Sequence, residues 1–274
     1  MNKPDLSIIL PSIREHNLIK LYDSILESTK RSFELIIIGP FELPIFLQRK
    51  ENVKYIKDFG SPVRCSNIGA MHCEGKYVKC FADDAVYLKD SIDNNINELE
   101  KMPFNEKNVV TQGYFEGIDG TKKDLQPESY YKMNNIPALM RSPYLNPDWW
   151  LFNTVFMYRT FFEELGAWDC RFETTFPAHT DLAVRAQNLG AIVQRTKYQI
   201  SDTNWMFERT GDHGPIHDGQ TTHDEQLFSS IYRNPTWKLT RQMRLDIMNW
   251  KDSSSIWKRR FEKLPEKYED LLIK

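Results

Sequence analysis

Several common features are scarce in this chain of 274 residues, which has four cysteines and a formal net charge of only −2. Acidic and basic residues nearly balance, so the chain lacks the overall positive charge that would indicate nucleic-acid binding. No apolar run is long enough to cross a bilayer. Three cysteines crowd residues 65–80, where a bridge would distort regular structure, so we expect reduced thiols and a cytoplasmic protein. Because Met1–Asp5 leads directly into an apolar run, we expect no signal peptide.

The first hundred residues alternate between short apolar runs and helical patterns. We predict buried strands at the runs Leu6–Leu10, Phe33–Ile38 and Tyr77–Phe81, and a shorter strand at Val53–Ile56. A helical face at residues 18–26 follows the first run, and Arg64–Glu74 reads as a second helix. This alternation predicts an α/β fold with a mostly parallel, Rossmann-like sheet flanked by helices. Residues 1–112 form its nucleotide-binding half by architecture.

The second half has a different composition. Residues 113–147 are rich in Gly, Pro, Asn and Tyr, which predicts a long loop of the kind that is usually functional. We predict a helix from Thr180, acting as its cap, to Leu189, with Gly190 as its stop. A helical pattern resumes at Trp237. We therefore expect one domain over residues 1–235 and a helical C-terminal extension over residues 236–274.

Two adjacent carboxylates, Asp83 and Asp84, follow the fourth predicted strand. The carboxyl ends of strands are where open α/β sheets bind their ligands. Neighbouring carboxylates repel each other, and a divalent cation that joins them to phosphate oxygens relieves that repulsion. The pair therefore predicts a site for a phosphate-bearing ligand and a cation.

Three blocks of sequence carry a resemblance to a known family. They are Pro11-Ser12-Ile13-Arg14; Arg64-x-x-Asn67-x-Gly69 with Gly75-x-Tyr77 and Asp83-Asp84; and Tyr158-Arg159 with Leu165–Asp169, Phe172, Asp181-Leu182-x-x-Arg185 and Gly190. In this order and spacing, from Leu6 to about Val193, they resemble family 2-like glycosyltransferases with a GT-A fold. The resemblance implies a hexosyltransferase-type enzyme (EC 2.4). It would move a sugar from a nucleotide-sugar donor to an acceptor hydroxyl with inversion, in polysaccharide or glycoconjugate synthesis.

The resemblance also implies a donor site. The nucleobase would lie against Pro11, Ser12 and Arg14, with Asp58 as a substitute for an acidic stretch that the family has after its second strand. Arg64 would reach a phosphate, and Asn67 and Gly69 would allow close approach of the donor. A solvated loop acid at Asp58 and a surface charge at Arg64 are the competing interpretations.

The family's D-x-D motif implies a metal ligand at Asp84, which would hold Mn²⁺ or Mg²⁺ against the diphosphate. The first Asp of that motif is Ala82 here, which is a departure. Asp83 would contact the ribose or a metal-bound water, or else that contact is lost. Alternatively, Asp83 and Asp84 only cap the turn that follows them. His213 and His217, in a Gly/Pro-rich loop, are candidates to add a histidine to the metal shell.

The general base is implied at the start of the helix that carries Asp181-Leu182-x-x-Arg185. The usual Glu-Asp pair is replaced by Ala178 and His179, so the nearest acid is Asp181. A helix N-terminus favours the ionised carboxylate, which places Asp181 narrowly ahead of His179 as the base. Arg185 would orient Asp181 through an i, i+4 pair. Alternatively, Asp181 only interacts with the helix dipole in the first turn, and His179 is only a loop residue.

The acceptor, a glycan or a lipid-linked sugar, is expected to contact Trp149, Trp150 and Arg185, although core packing is the commoner role of tryptophan. The extension mixes basic residues with tryptophans. It predicts a packing or homodimerisation helix, or a peripheral membrane contact. Two other functions stay open: a nucleotidyltransferase, although the G-x-G-T-R-like loop of that class is missing after the first strand, and a catalytically degenerate relative that only binds.

Overall fold

A computed structural model of the chain describes residues 3–80, 82–103, 105–111, 114–116, 128–152, 154–196, 200–202 and 214–240. The strands are β1 Leu6–Pro11, β2 Phe33–Gly39, β3 Val53–Lys57, β4 Tyr77–Cys80, β5 Ala85–Tyr87, β6 Asn108–Thr111, β7 Tyr114–Glu116, β8 Val155–Tyr158, β9 Ile192–Arg195 and β10 Ile200–Asp202. The helices are α1 Leu18–Ser28, α2 Ile45–Gln48, α3 Pro62–Met71, α4 Ser91–Lys101, α5 Arg159–Leu165, α6 Thr175–Asn188, α7 Gly214–Gly219, α8 Glu225–Tyr232 and α9 Trp237–Thr240. A π-helix, Gln220–Asp224, joins α7 to α8.

A seven-stranded sheet in the order β3-β2-β1-β4-β8-β6-β9 forms the centre of the described structure. Strands β1 to β4 run parallel, as predicted, and β8 pairs antiparallel with both β4 and β6. The predicted α/β fold with a mostly parallel sheet flanked by helices is confirmed. A second, three-stranded sheet has the order β5-β10-β7.

Alternate residues of the central strands bury their side chains in two separate cores. Ile9 of β1 belongs to one core, while Ile8 and Leu10 belong to the other. Helices α1 and α4 contribute to the second core, and α6 contributes to the first. Burial on both faces explains why these strands read as continuous apolar runs rather than as alternating patterns. The parallel pairing of β1 with β4 brings their carboxyl ends to the same edge of the sheet.

In the second half of the chain, one helix begins earlier than the sequence predicts. Helix α6 begins at Thr175, not Thr180, with Thr174 at its N-cap. Pro177 is tolerated because a proline in the first turn removes an N–H group that has no intrahelical partner there. The carboxylate of Asp224 accepts hydrogen bonds from the backbone nitrogens of Glu173 and Thr174. The cap of α6 is therefore supplied from a distant helix, and Thr180 lies inside the helix.

The predicted loop and extension are described in part. Residues 128–140 contain three short 3₁₀ helices, Glu128–Tyr131, Met133–Asn135 and Ala138–Met140, where the sequence predicts a loop. Helix α9 begins at Trp237, as the sequence predicts. Residues 241–274 of the predicted extension lie outside the described residues. In the part of the chain that the structure describes, no helix combines the length and the apolar character needed to cross a bilayer.

A lysine lies fully buried within the central sheet. Lys79 of β4 is paired with Ile8 of β1 and Phe156 of β8, and its Nζ lies 4.8 Å from the centroid of the Phe156 ring. Burial lowers the pKa of this amine from 10.5 to about 7. The folded chain therefore releases this proton more readily than the unfolded chain, and burial of the ammonium costs most below pH 7.

We expect Lys79→Met to be more stable than the wild type near pH 6. The advantage should shrink by roughly 2–3 kcal/mol at about pH 9, because the wild type gains stability as pH rises from about 7 towards 10.5. Urea unfolding of both proteins at the two pH values measures this change. Lys101→Met, on the exposed surface of α4, is the matched control. If the difference in the free energy of unfolding between wild type and Lys79→Met does not vary with pH, the lowered pKa of Lys79 is contradicted.

Candidate functional site

A cleft of about 200 Å³, called the main cleft below, opens where β1 and β4 end. It brings together seven of the residues predicted from the sequence: Pro11, Ser12, Arg14, Asp58, Asp83, Asp84 and His179. These residues come from the end of β1 and the loop after it, the loop after β3, the loop after β4 and helix α6. The position agrees with the general rule that open α/β sheets bind ligands beyond the carboxyl ends of their strands.

Asp83 organises the loop that follows β1. Its Oδ2 accepts hydrogen bonds from Ser12 Oγ at 2.9 Å and from the backbone nitrogens of Ile13 at 2.9 Å and Arg14 at 3.0 Å. The side-chain amide of Asn17 donates to the Asp83 carbonyl at 3.0 Å. The buried carboxylate is thus engaged by the chain's own donors. This geometry favours a positioning role for Asp83 over the ribose or water contact expected from the sequence.

Asp84 lies beside Arg14 on the wall of the main cleft. The Arg14 guanidinium donates a hydrogen bond to Asp83 Oδ1, and its Nη1 lies 3.5 Å from Asp84 Oδ2. The side chain of Arg14 is 6% exposed and that of Asp84 is 15% exposed. A positive charge between the two carboxylates offsets the repulsion that the sequence alone suggests.

Arg64 and Asp58 form a bidentate pair rather than two separate ligand contacts. Arg64 Nε lies 3.0 Å from Asp58 Oδ1, and Nη2 lies 3.0 Å from Asp58 Oδ2. Helix α3 carries Arg64 in its first turn, where Ser61 caps the helix by accepting from the Arg64 backbone nitrogen. Asp58 lines the main cleft, whereas Arg64 is not among its lining residues. Arg64 is therefore placed to orient Asp58.

Asn67 and Gly69 serve packing in this structure. Asn67 is buried, and its side-chain amide exchanges two hydrogen bonds with the backbone of Trp168, at 3.0 and 3.1 Å. A Cβ at Gly69 would lie 2.5 Å from Ile9 Cγ2 and 2.8 Å from Ile38 Cδ1. The glycine thus lets α3 pack closely on the sheet. Neither residue lines the main cleft, so the expected donor contacts are replaced by structural ones.

The two candidate bases occupy different environments on α6. His179 lines the main cleft and stacks on Trp168, with ring centroids 5.7 Å apart and planes 23° apart. Asp181 is fully buried, accepting hydrogen bonds from Arg185 Nε at 2.8 Å and from Tyr232 Oη at 2.6 Å. The helix-dipole argument for Asp181 is wrong, because α6 begins six residues earlier than Asp181. Of the two, the geometry favours His179 as the group that meets a ligand.

Arg185 does orient Asp181, as the i, i+4 spacing predicts. Its remaining nitrogens donate to the carbonyls of Leu165 at 2.5 Å and Ala167 at 2.7 Å. Ala167 has a φ of +52°, so these bonds hold a turn that is unusual for a residue with a side chain. Arg185 is fully buried and therefore stabilises the turn after α5, which does not agree with the acceptor contact expected from the sequence.

The tryptophans expected to form an acceptor platform pack elsewhere. Trp149 packs against the core that contains α6, and Trp150 exchanges backbone hydrogen bonds with the side chain of Gln187. Lys132 Nζ lies 3.3 Å from the centroid of the Trp150 ring. Neither tryptophan lines the main cleft, and neither lines a second cleft that adjoins it.

That second cleft, called the side cleft below, has a volume of about 430 Å³ and shares Phe152 and Phe176 with the main cleft. Tyr130 and Tyr131 also line it, in an edge-to-face arrangement with ring centroids 5.3 Å apart. The sequence does not single out these two tyrosines, although it predicts a functional loop over residues 113–147. The tyrosine content of that stretch was the available signal.

The predicted histidine ligands are the least supported part of the site. His213 lies outside the described residues, and His217 is exposed on α7, next to Ile216, which lines the main cleft. Among residues 3–240 outside the omitted segments, no group of three or more His, Cys, Asp or Glu side chains is arranged to hold a metal ion. Asp84 is the predicted metal ligand that lines the cleft.

Comparisons with known proteins support the resemblance, at low sequence identity. No protein-family model matches the chain. An uncharacterized glycosyltransferase of Rickettsia bellii (strain RML369-C) is 29% identical over 131 residues, which cover 44% of this chain and 19% of that protein. Another, of Rickettsia conorii (strain ATCC VR-613 / Malish 7), is 27% identical over 112 residues, covering 38% of this chain and 18% of that protein. The matches thus span less than a fifth of each relative.

A solved structure gives the broader match. The chain superposes on S. aureus TarS 1-349, a glycosyltransferase, with a TM-score of 0.51 and 13% identity, covering 97% of this chain and 83% of TarS. At this identity the similarity establishes the fold. The predicted resemblance to GT-A glycosyltransferases is confirmed at that level.

Proposed function

We propose that the chain is a glycosyltransferase that moves a sugar from a nucleotide-sugar donor to an acceptor hydroxyl. One observation carries the proposal. The main cleft joins the loop after β1, the carboxylate of Asp84 and the imidazole of His179 at the edge of the sheet where α/β proteins bind ligands. The glycosyltransferase names of the partial relatives and the fold shared with TarS agree with it.

The donor diphosphate would lie between Arg14 and Asp84. The chemistry of the cleft fits a divalent cation, because Mg²⁺-type ions need only one or two protein carboxylates when phosphate oxygens and waters complete the shell. Asp84 would hold that cation, which neutralises the charge developing on the leaving diphosphate. Asp58, which is oriented by Arg64, lines the same cleft. It would accept a hydrogen bond from the nucleobase or the ribose.

His179 would act as the general base. The reaction needs a group that takes the proton from the acceptor hydroxyl as its oxygen attacks the anomeric carbon and the bond to the diphosphate breaks. Stacking on Trp168 restricts the orientation of the imidazole ring at the cleft wall. A single displacement of this kind inverts the configuration at the anomeric carbon.

The side cleft is the proposed acceptor site. It adjoins the main cleft through Phe152 and Phe176, so an acceptor held there would have its hydroxyl near His179. Tyr130, which is 45% exposed, offers an aromatic face to a sugar ring and a hydroxyl to its polar edge. We propose a glycan or lipid-linked sugar as the acceptor class, in polysaccharide or glycoconjugate synthesis.

A thermal-shift screen tests the donor assignment. We expect nucleoside diphosphate sugars to raise the unfolding midpoint of the full chain in the presence of Mn²⁺, because a ligand that binds the native state stabilises it. Asp84→Asn should remove the shift that depends on Mn²⁺. Asp148→Asn, an exposed acid outside both clefts, should leave it unchanged. Absence of any shift across the common nucleotide sugars would contradict the proposal. Binding without sugar release would identify a degenerate relative.

A further inference from the structure

Arg14 links the two carboxylates of the main cleft unequally. Its guanidinium is hydrogen-bonded to Asp83, whereas its contact with Asp84 Oδ2 is 3.5 Å long. Charge-assisted N–H···O bonds usually measure about 2.7–2.9 Å, so the Asp84 contact is a loose ion pair. Asp83 is held by three further donors from the loop, and its position therefore does not depend on the guanidinium.

This arrangement places an internal cation beside the predicted metal ligand. A guanidinium and a divalent cation at the same carboxylate repel each other, so each weakens the binding of the other when no anion is present. A diphosphate changes the balance because it supplies the missing negative charge. The fork of guanidinium donors also matches phosphate oxygens well, and Arg14 lines the cleft where the diphosphate would lie.

We propose that Arg14 is the counter-ion of Asp84 in the ligand-free cleft and transfers to the donor diphosphate when a divalent cation occupies Asp84. This inference rests on the proposed function. Exchange of this kind makes cation and diphosphate bind cooperatively, and the coupling is reciprocal. It also keeps the cation weakly bound until a nucleotide arrives.

Direct binding measurements on the full chain test the exchange. Mn²⁺ is titrated while free Mn²⁺ is followed by electron paramagnetic resonance, with and without saturating UDP or GDP as probes. In the wild type we expect the nucleotide to raise Mn²⁺ affinity at least about tenfold. In Arg14→Gln, Mn²⁺ alone should bind several-fold more tightly, since its competitor is gone, while nucleotide affinity measured by calorimetry should fall about tenfold or more.

Two further variants separate this role from a structural one. Arg14→Lys keeps the charge and should keep Mn²⁺ affinity close to that of the wild type, but it should lose nucleotide affinity because the donor fork is gone. Arg31→Gln, whose arginine pairs with Glu100 away from the main cleft, should match the wild type in both titrations.

Three results would overturn the inference: a folded Arg14→Gln variant with unchanged Mn²⁺ affinity, an Arg14→Lys variant with wild-type nucleotide affinity, or a wild type without cooperativity. If Arg14→Gln does not fold, the wild-type and Arg14→Lys titrations decide. Failure of the proposed function looks different, since the wild type would then bind neither UDP nor GDP under any condition, even with Mn²⁺ present.

Discussion

Replacement of Asp83 by alanine is expected to abolish nucleotide binding and to lower the free energy of unfolding by about 3–5 kcal/mol. The carboxylate compensates the buried charge of Arg14 and accepts hydrogen bonds from three consecutive residues of the loop after β1. Without it, the buried guanidinium of Arg14 loses its hydrogen bond to Asp83, and two backbone N–H groups lose their acceptor. The loop that would contact the nucleotide then loses its fixed conformation.

Asp84→Ala is the matched control for this prediction because it removes the adjacent carboxylate. Asp84 makes a looser contact with Arg14 and is more exposed than Asp83, so we expect its loss to lower the free energy of unfolding by less than the loss of Asp83 does. Chemical denaturation of both variants, with calorimetric titration of UDP and GDP in the presence of Mn²⁺, gives the comparison. Equal stability of the two variants would show that Asp83 does not organise the loop.

Replacement of His179 by alanine is expected to reduce sugar transfer by a factor of about 10²–10⁴, with nucleotide affinity nearly unchanged. This range is typical of the loss of a positioned general base. The imidazole lines the main cleft from α6, whereas Arg14, Asp83 and Asp84 come from the loops after β1 and β4. Turnover is measured as release of nucleoside diphosphate from a nucleotide sugar that binds in the thermal-shift screen.

Asp181→Asn serves as the comparison, since Asp181 is the other candidate base. Its carboxylate is fully buried against Arg185 and Tyr232, so the change should destabilise the fold while the folded fraction keeps turnover within a few-fold of the wild type. The opposite pattern, with His179→Ala active and Asp181→Asn stable but inactive, would restore Asp181 as the base.

The fold was largely predictable because local patterns determine its first half. The four runs within residues 6–81 correspond to strands β1 to β4. Burial on both faces leaves a continuous apolar signal in β1 and β2, whereas the edge strand β3 is only partly buried. The start of α6 was not predictable in this way. Its cap is the carboxylate of Asp224, about fifty residues downstream, and no local pattern announces such a partner.

The site was predictable in location but not in the division of roles. The adjacent aspartates after β4 mark the cleft, and the resemblance assigns the metal to Asp84, but no local pattern shows that Asp83 holds the loop after β1. The difference arises from donors about seventy residues earlier in the chain. Likewise, Tyr232 and Arg185 bury Asp181, and Trp168 engages Asn67 across 101 residues. Long-range partners thus convert four of the family-matched positions into structural ones: Asn67, Asp83, Asp181 and Arg185.

A crystal structure of the full chain with Mn²⁺ and a nucleoside diphosphate tests the central claim most directly, because the anomalous signal of manganese locates the ion independently of the protein. We expect a manganese peak at coordinating distance from the Asp84 carboxylate. We also expect a diphosphate between that ion and Arg14, with the nucleobase beside Pro11 and Ser12. A diphosphate outside the main cleft, or manganese bound away from Asp84, would contradict it.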